Sequence, residues 1–468
     1  MNSNSFLQFL KKKLYPLEQI IFYLLILFLP TQLGKHFWPP FSYILGIRID
    51  YLSPTIYLTD ILLFTLFLTA IVKLVKSHDC ISKIKNQISK TPNLIFLILI
   101  IFLFINIGFS KSPLAGVYGL VKLLEFIFFG FYVSKKIKNI EDFKNMSVMF
   151  ALGIIFESLL SISQYFSQSS IGSIFYFFGE RTFSSQTPGI ANVSLNGELV
   201  LRPYGTFSHP NVLAAYLIIG MTMVLFNLKF QIFNQFLMTR LKNIVLGLSI
   251  VIGSIAIFLT MSRVAIILWI FILGYFVACY LKNNIKNKFT IYYLIFAIFI
   301  IGSIFLLSPI HNRFTSFSFY DESIAIRKEL VFDSLIMIKE HLLFGVGINN
   351  FLINLPYYQK INTGSFFTYL QPVHNIFLLM ASETGIAGFI IFVWFIIKTL
   401  NNILKKNKFS IFNFQFSILI IVIILGFFDH YFLTLQQGQL LFFLVLGLCW
   451  SKIKIDSKNR IRDNKFNK

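Results

Sequence analysis

A few side chains in this sequence are of types that could do chemistry together. Arg202 lies in RPYGTFSHPN (residues 202–211), Arg263 in the short TMSRVA (residues 260–265), Arg327 in ESIAIRKEL (residues 322–330), and His374 in QPVHN (residues 371–375). A guanidinium presents a planar fork of donors that matches phosphate oxygens. A neutral imidazole titrates near neutrality and suits proton abstraction. Two or more fixed cations with one base meet the needs of a hydroxyl attacking a carbon whose leaving group is a diphosphate. The base takes the hydroxyl proton and the cations hold the charge that departs. Secondary candidates stand beside these four. Tyr204, His209 and Asn211 crowd around Arg202, Asn375 follows His374, Glu383 lies nine residues further on, and Asp429 precedes His430.

Each of these has a plainer reading. An arginine at the end of an apolar run can snorkel to lipid headgroups, and Arg263 could anchor a helix end in the same way. An arginine near hydrocarbon is nevertheless costly unless partnered. A solvated helix face explains Arg327 as well as a binding role does. Glu383 is roughly 13 Å along a helix from His374, too far to orient its ring, and is expected to pair within the bundle. Glu125 is expected to pair with Lys122 one turn back. Glu157 and Asp60 are open partners for the arginines, Asp429 and His430 could form a secondary polar pair, and His209, His311 and His341 are rivals to His374.

The elements that must position these residues are membrane spans. The chain has 468 residues, of which 56% are hydrophobic and 13% charged, against about 25% charged in a typical globular domain. Repeated apolar runs of about 17–25 residues predict an all-α polytopic membrane protein, and the alternation of a membrane barrel is absent. Twelve spans are expected, centred near residues 26, 65, 101, 123, 156, 217, 252, 272, 300, 386, 420 and 441. The whole chain, 1–468, reads as one membrane domain. Its longest water-compatible stretch, 309–372, is a loop between the ninth and tenth spans, and a loop of that length usually carries function. Within it, Ser323 to Leu343 reads as an amphipathic helix with Ile324, Val331, Leu335 and Ile338 near one face. Asp321 or Ser323 could cap that helix and Gly345 could end it. Its apolar face could lie on the membrane surface or on the span tops.

The formal charge is +22, and 29 of the 41 basic residues fall in alternate loops and in the 451–468 tail. That split follows the positive-inside rule and predicts a multi-pass protein of the inner or plasma membrane with both termini cytoplasmic. It makes the basic tail a topology signal touching lipid, not a nucleic-acid arm. The start, Lys11-Lys12-Lys13 before an apolar run, reads as an uncleaved first span because no small-residue cleavage site follows. Cys80, Cys279 and Cys449 all fall at expected cytoplasmic positions, so no disulfide is expected. Neither CxxC nor HExxH occurs, and there is no DxD motif or phosphate-cradling glycine loop; no metal and no cofactor are expected.

Taken in order, RPYGTFSHPN before a span, SR between two spans, a long loop with an arginine-bearing helix and FGVGINNF, then HNIFLLMASETGIAG, resemble the O-antigen ligase and polymerase superfamily. The likeness is best over 200–395, a ligase-like core. The resemblance implies a GT-C-like fold, a polyprenyl-pyrophosphate-linked glycan as donor, and a glycan, lipid or protein hydroxyl as acceptor. It further implies metal-independent, inverting transfer on the outer side of the membrane, and it matches Arg202 and Arg263 to diphosphate-holding positions, His374 to the base and Arg327 to the loop arginine. A secondary transporter or flippase for a lipid-linked glycan or another anion is the competing reading. Transporters, however, place charges at the bilayer midplane, where only Glu157 is a candidate. An intramembrane hydrolase lacks a nucleophile–base pair, since Ser208 and His209 are merely adjacent. Cysteines substituted into the 309–372 loop are expected to react with an impermeant thiol reagent in intact cells, and those in the 282–288 loop only after lysis. The reverse pattern would reject the orientation.

Overall fold

A computed structural model describes residues 16–75, 92–195, 198–232, 240–283, 322–363, 369–406 and 414–453. The helices are α1 Pro16–Leu27, α2 Leu58–Val75, α3 Pro92–Gly108, α4 Pro113–Lys136, α5 Ile140–Ser167, α6 Pro210–Ile232, α7 Arg240–Leu259, α8 Arg263–Asn283, α9 Glu322–Glu340, α10 Phe351–Thr363, α11 Ile376–Lys406, α12 Phe414–Phe428, the short α13 Tyr431–Thr434 and α14 Gln436–Trp450. Eleven of the twelve expected span centres fall within these helices. Among the described residues, five helices are long and apolar enough to cross a membrane. The expected span near residue 300, the Asp321 cap, Cys80, His311 and most of the 451–468 tail lie outside the described residues. Among the described residues, sheet is confined to three antiparallel strand pairs in the connections: β1 Gly34–His36 with β4 Thr55–Tyr57, β2 Tyr43–Ile44 with β3 Ile47–Arg48, and β5 Asn192–Leu195 with β6 Glu198–Leu201.

Helix α6 is the axis of the bundle. From Val212 to Val224 its apolar side chains are fully buried, as expected of a helix that is hydrophobic all round. Between apolar helices in lipid there is little hydrophobic drive, and close contact must come from small residues and packing. Ala214, Ala215 and Gly220 supply this, and a Cβ on Gly220 would press on Ile154 and Phe150 of α5 at 3.0 Å. Lys122 on α4 pairs with Glu125 at 2.7 Å, as expected, and also with Asp60 at 2.9 Å. Gln436 donates to Asp60 as well. Asp60 is thus committed to tying α2, α4 and α14 together and is not a partner of the arginines.

One end of the bundle carries the connections that matter here. A second apolar core lies over it, built from Ile49 and Leu52 of the first connection, Leu330 and Met337 of α9, Phe351 and Leu355 of α10, and Val373. Helix α9 forms close to where the sequence places it, and of the two placements open for Val331 and Leu335 they do not take the one on the span tops. Leu330, Asp333, Ser334 and Met337 are buried, while Val331 and Leu335 are exposed, with Phe332 between them. The helix carries apolar residues on more than one face, and packing against α11 selects the face holding Ser334, whose carbonyl lies 3.5 Å from the Ser382 hydroxyl.

The halves of the sequence pattern FGVGINNF and SETGIAG are locked together. Helix α11 is broken at Gly385 (φ 64°, ψ −172°), which frees backbone groups of its second turn. Val346 donates to the Ser382 carbonyl and Gly347 to that of Glu383, while Ile386 donates back to Leu342. Asn106 of α3 completes the knot, donating to the Phe344 and Glu383 carbonyls and accepting from Ile348. A Cβ on Gly385 would lie 2.4 Å from the Leu343 carbonyl oxygen and would sit at a φ that L residues rarely adopt. Gly385→Ala is therefore expected to destabilise the protein by about 1–3 kcal/mol, read as a lower melting midpoint in detergent. A midpoint equal to that of the unmodified protein would show that this junction is not under the steric constraint described.

Candidate active site

The segment 201–207 carries Arg202, and side chains of α5 and of Gln168 just past its end hold several of its backbone polar groups. Gln168 accepts from the Leu201 N–H at 2.8 Å. Gln164 Oε1 accepts from the N–H groups of Tyr204 and Gly205, and its Nε2 donates to the Gly205 carbonyl. Glu157 accepts from the Thr206 N–H at 2.9 Å and the Thr206 hydroxyl at 2.7 Å. Glu157, one of the open candidates for pairing with an arginine, instead braces this turn. The close packing requires glycine at 205, where a Cβ would stand 2.3 Å from Glu157 Oε2.

From that turn a continuous hydrogen-bonded chain crosses the site. The Arg202 side chain is 8% exposed. Its Nε donates to the Thr260 carbonyl at 2.7 Å and an Nη donates to Asn211 Oδ1 at 2.6 Å. Asn211 Nδ2 then donates to Asp429 Oδ2 at 2.8 Å. The other oxygen, Oδ1, lies 3.1 Å from His374 Nδ1 and accepts from the His430 N–H at 2.9 Å. The carboxylate assigns the tautomer, because Nδ1 must carry the proton to donate to it. The other ring nitrogen, Nε2, lies 3.4 Å from the side-chain amide of Gln371. Burial alone would raise the Asp429 carboxyl; His374, His430 and His209 around it hold it well below the usual carboxylate range.

The remaining expected residues divide between this cluster and its supports. Arg263 opens α8 three residues after Thr260, whose carbonyl holds Arg202. Arg327 on α9 acts electrostatically on His430. The Tyr204 ring lies 6.2 Å from that of His209, and its hydroxyl accepts from the Ala191 N–H. His209 Nδ1 accepts from the Asn211 N–H at 3.1 Å. Asn375 caps α11, its Oδ1 accepting from Phe377 and Leu378, and its Nδ2 donates to the Phe427 carbonyl. Glu383 is held elsewhere, taking backbone N–H groups from Asn349, Asn350 and Phe351 at the start of α10. The acid that orients His374 is Asp429, fifty-five positions away in sequence, where Glu383 is only nine. Helical spacing already set Glu383 too far from the ring, but no spacing pointed to Asp429.

Two residues absent from the sequence reading also reach the rim. Tyr51 places its ring 5.6 Å from that of His430, edge to face, and Arg181 donates to the Ser208 carbonyl at 3.1 Å. His374, Asp429 and His430 offer ligand atoms within 4.8 Å of one another, a spacing that could hold a metal ion. Asn211 and His374 use both carboxylate oxygens of Asp429, and Arg202 stands one link away, so the surrounding charge favours an anion at this rim over a cation.

Residues 248–393 match the family model described as O-antigen ligase, which supports the resemblance to the O-antigen ligase and polymerase superfamily. With the apolar helices, the match fits an integral membrane protein. It spans less than half of the chain, taking in Arg263, Arg327, His374, Asn375 and Glu383 but not Arg202, Asn211 or Asp429. No curated protein matches the chain.

His430, buried, and His209, partly buried, give the site a pH signature. Burial, followed by Arg202, lowers His209 from 6.5 to about 3; burial likewise lowers His430 to about 3, with Asp429 opposing and His374 and Arg327 adding to the decrease. Between pH 6.5 and 3 the unfolded chain binds these protons and the folded chain does not. Stability is then present above pH 6.5 and is lost as pH falls, with a slope of about 1.4 kcal/mol per pH unit for each histidine. The melting midpoint in detergent is expected to fall on acidification from pH 7 to 5, and less steeply in His209→Gln. A midpoint that rises over this range would contradict the neutral state of both rings.

Proposed function

We propose that this chain is a membrane glycosyltransferase of the O-antigen ligase or polymerase type. It moves a glycan from a polyprenyl-diphosphate carrier to a hydroxyl acceptor on the outer side of the membrane. The observation that carries the reading is the chain Arg202–Asn211–Asp429–His374, which links a cation for the leaving diphosphate to a base for the acceptor. Its stretch of O-antigen ligase likeness supports the same reaction class.

The acceptor hydroxyl gives its proton to His374 Nε2 as its oxygen bonds to the anomeric carbon. The bond from that carbon to the diphosphate oxygen breaks, and the electron pair leaves with the lipid diphosphate. Arg202 and Arg263 bind that diphosphate, with Arg327 approaching from α9. Asp429 keeps the proton on Nδ1 before transfer and stabilises the imidazolium after it. A single displacement inverts the anomeric centre. The donor is already activated, so neither a nucleotide nor a metal is required by this route.

His374→Ala is expected to lower turnover by about 10²–10⁴-fold while the protein still inserts in the membrane and binds lipid diphosphate. The assay uses purified protein in liposomes with a lipid-linked glycan, a hydroxyl acceptor and a chelator. Wild-type turnover in His374→Ala would place the base elsewhere. Loss of wild-type activity in chelator would reject the metal-free route. Movement of the donor across the bilayer with no acceptor consumed would favour the transporter reading.

A further inference from the structure

Arg181 lies on a rigidly held backbone at the rim of the site. The residue before it, Glu180, is buried and accepts from the Ile171 and Gly172 N–H groups and from Gln164 Nε2 at 2.7–2.8 Å. The same Gln164 fixes the turn of Arg202, so the two arginines are referred to one frame. The Arg181 side chain itself is open, 42% exposed. Nη2 donates to the Ser208 carbonyl, immediately before His209, and the guanidinium carbon stands 6.0 Å from the Tyr204 ring.

Two phenols stand near Arg181. Burial raises the Tyr204 hydroxyl, and Arg181 and Arg202 both oppose that rise; Tyr204 therefore stands within reach of both cations. Burial also raises the Tyr51 hydroxyl, with Asp429 adding to the rise and Arg181 opposing it. With its Nη2 on the Ser208 carbonyl and its guanidinium beside Tyr204, whose ring is 6.2 Å from that of His209, Arg181 lies against the 202–211 segment that carries Arg202 and Asn211.

Its acidic neighbour is a weak partner. Nη1 lies 4.0 Å from Asp50 Oδ2, at the limit of an ion pair, and Asp50 is 65% exposed. An exposed pair at that distance holds its partners loosely, whereas a guanidinium meeting a phosphate oxygen makes short, charge-assisted hydrogen bonds.

We propose that Arg181 is a further anion-binding residue of this site, held in readiness by Asp50 and exchanging it for a phosphate oxygen of the donor's diphosphate. The proposal rests on the transfer reading for its ligand. No bond is made or broken; one loose ion pair is replaced by a closer one. Asp50 then competes with the donor, and its removal acts in the opposite sense to removal of Arg181.

The test measures binding of polyprenyl diphosphate to the purified protein in detergent, without turnover, and donor KM in the transfer assay. Arg181→Ala is expected to weaken binding about 10-fold, and Arg181→Lys less, since lysine keeps the charge but not the fork. Asp50→Asn is expected to tighten binding about 2–3-fold, and the double variant to bind like Arg181→Ala. Unchanged binding in Arg181→Ala overturns the proposal. So does an Asp50→Asn effect that persists undiminished in the Arg181→Ala background, because Asp50 would then act by another route. Diphosphate binding that depends on Arg181 in a protein that transfers no glycan would reject the transferase reading while leaving the Arg181 contact standing.

Discussion

A carboxylate taken out of water must be fully hydrogen-bonded, and Asp429 sets that requirement at the centre of this rim. It is almost wholly buried, and an ionised carboxyl in such a place costs several kcal/mol unless donors surround it. Three come from different parts of the chain: the Asn211 amide before α6 has entered its second turn, the His374 imidazole just before α11, and the His430 backbone N–H next door. Meeting this one requirement brings the starts of α6 and α11 to the end of α12. It also fixes which imidazole nitrogen is free, which makes the arrangement useful chemically.

The same constraint reaches outward in layers. Asn211 can donate to Asp429 only while its oxygen accepts from Arg202, and Arg202 is itself pinned to the Thr260 carbonyl at the tight turn ahead of Arg263. Below it, Gln164 and Glu157 on α5 satisfy the turn 204–206. Irregular backbone at this depth is tolerable only where such partners exist. The break in α11 at Gly385 is handled likewise, with Asn106 and the 342–347 strand of backbone taking up the freed groups.

Much of the scaffold was legible in the sequence because an apolar run of span length is a strong, local signal, and eleven of the expected centres lie in helices. The types of the site residues were legible for a related reason: arginine, histidine and asparagine beside hydrocarbon are costly enough to attract notice. Their partnerships were not. Glu383 was already set too far along the helix to reach His374, but only the fold shows that Asp429 meets the ring and that Glu383 serves the start of α10. Asp60 and Glu157 were open to pairing with arginines and instead take Lys122 and Thr206. Helix α9 was found, but with apolar residues on several faces its periodicity did not pick the side bearing Asp333 and Ser334. Asp50, Tyr51 and Arg181 drew no notice because they lie in connections whose approach to the rim depends on hairpins and turns, and such contacts leave no periodic trace.

The central claim is that Asp429 acts on the reaction through His374. A double-mutant cycle on transfer rate tests it most directly, with Asp429→Asn, His374→Ala and the pair compared under identical donor and acceptor. Groups that work as one unit are grossly non-additive, so the pair is predicted to be no slower than His374→Ala alone. If the two losses multiply, Asp429 contributes independently of the imidazole, and the hydrogen-bonded chain described here is not the route by which it serves the reaction.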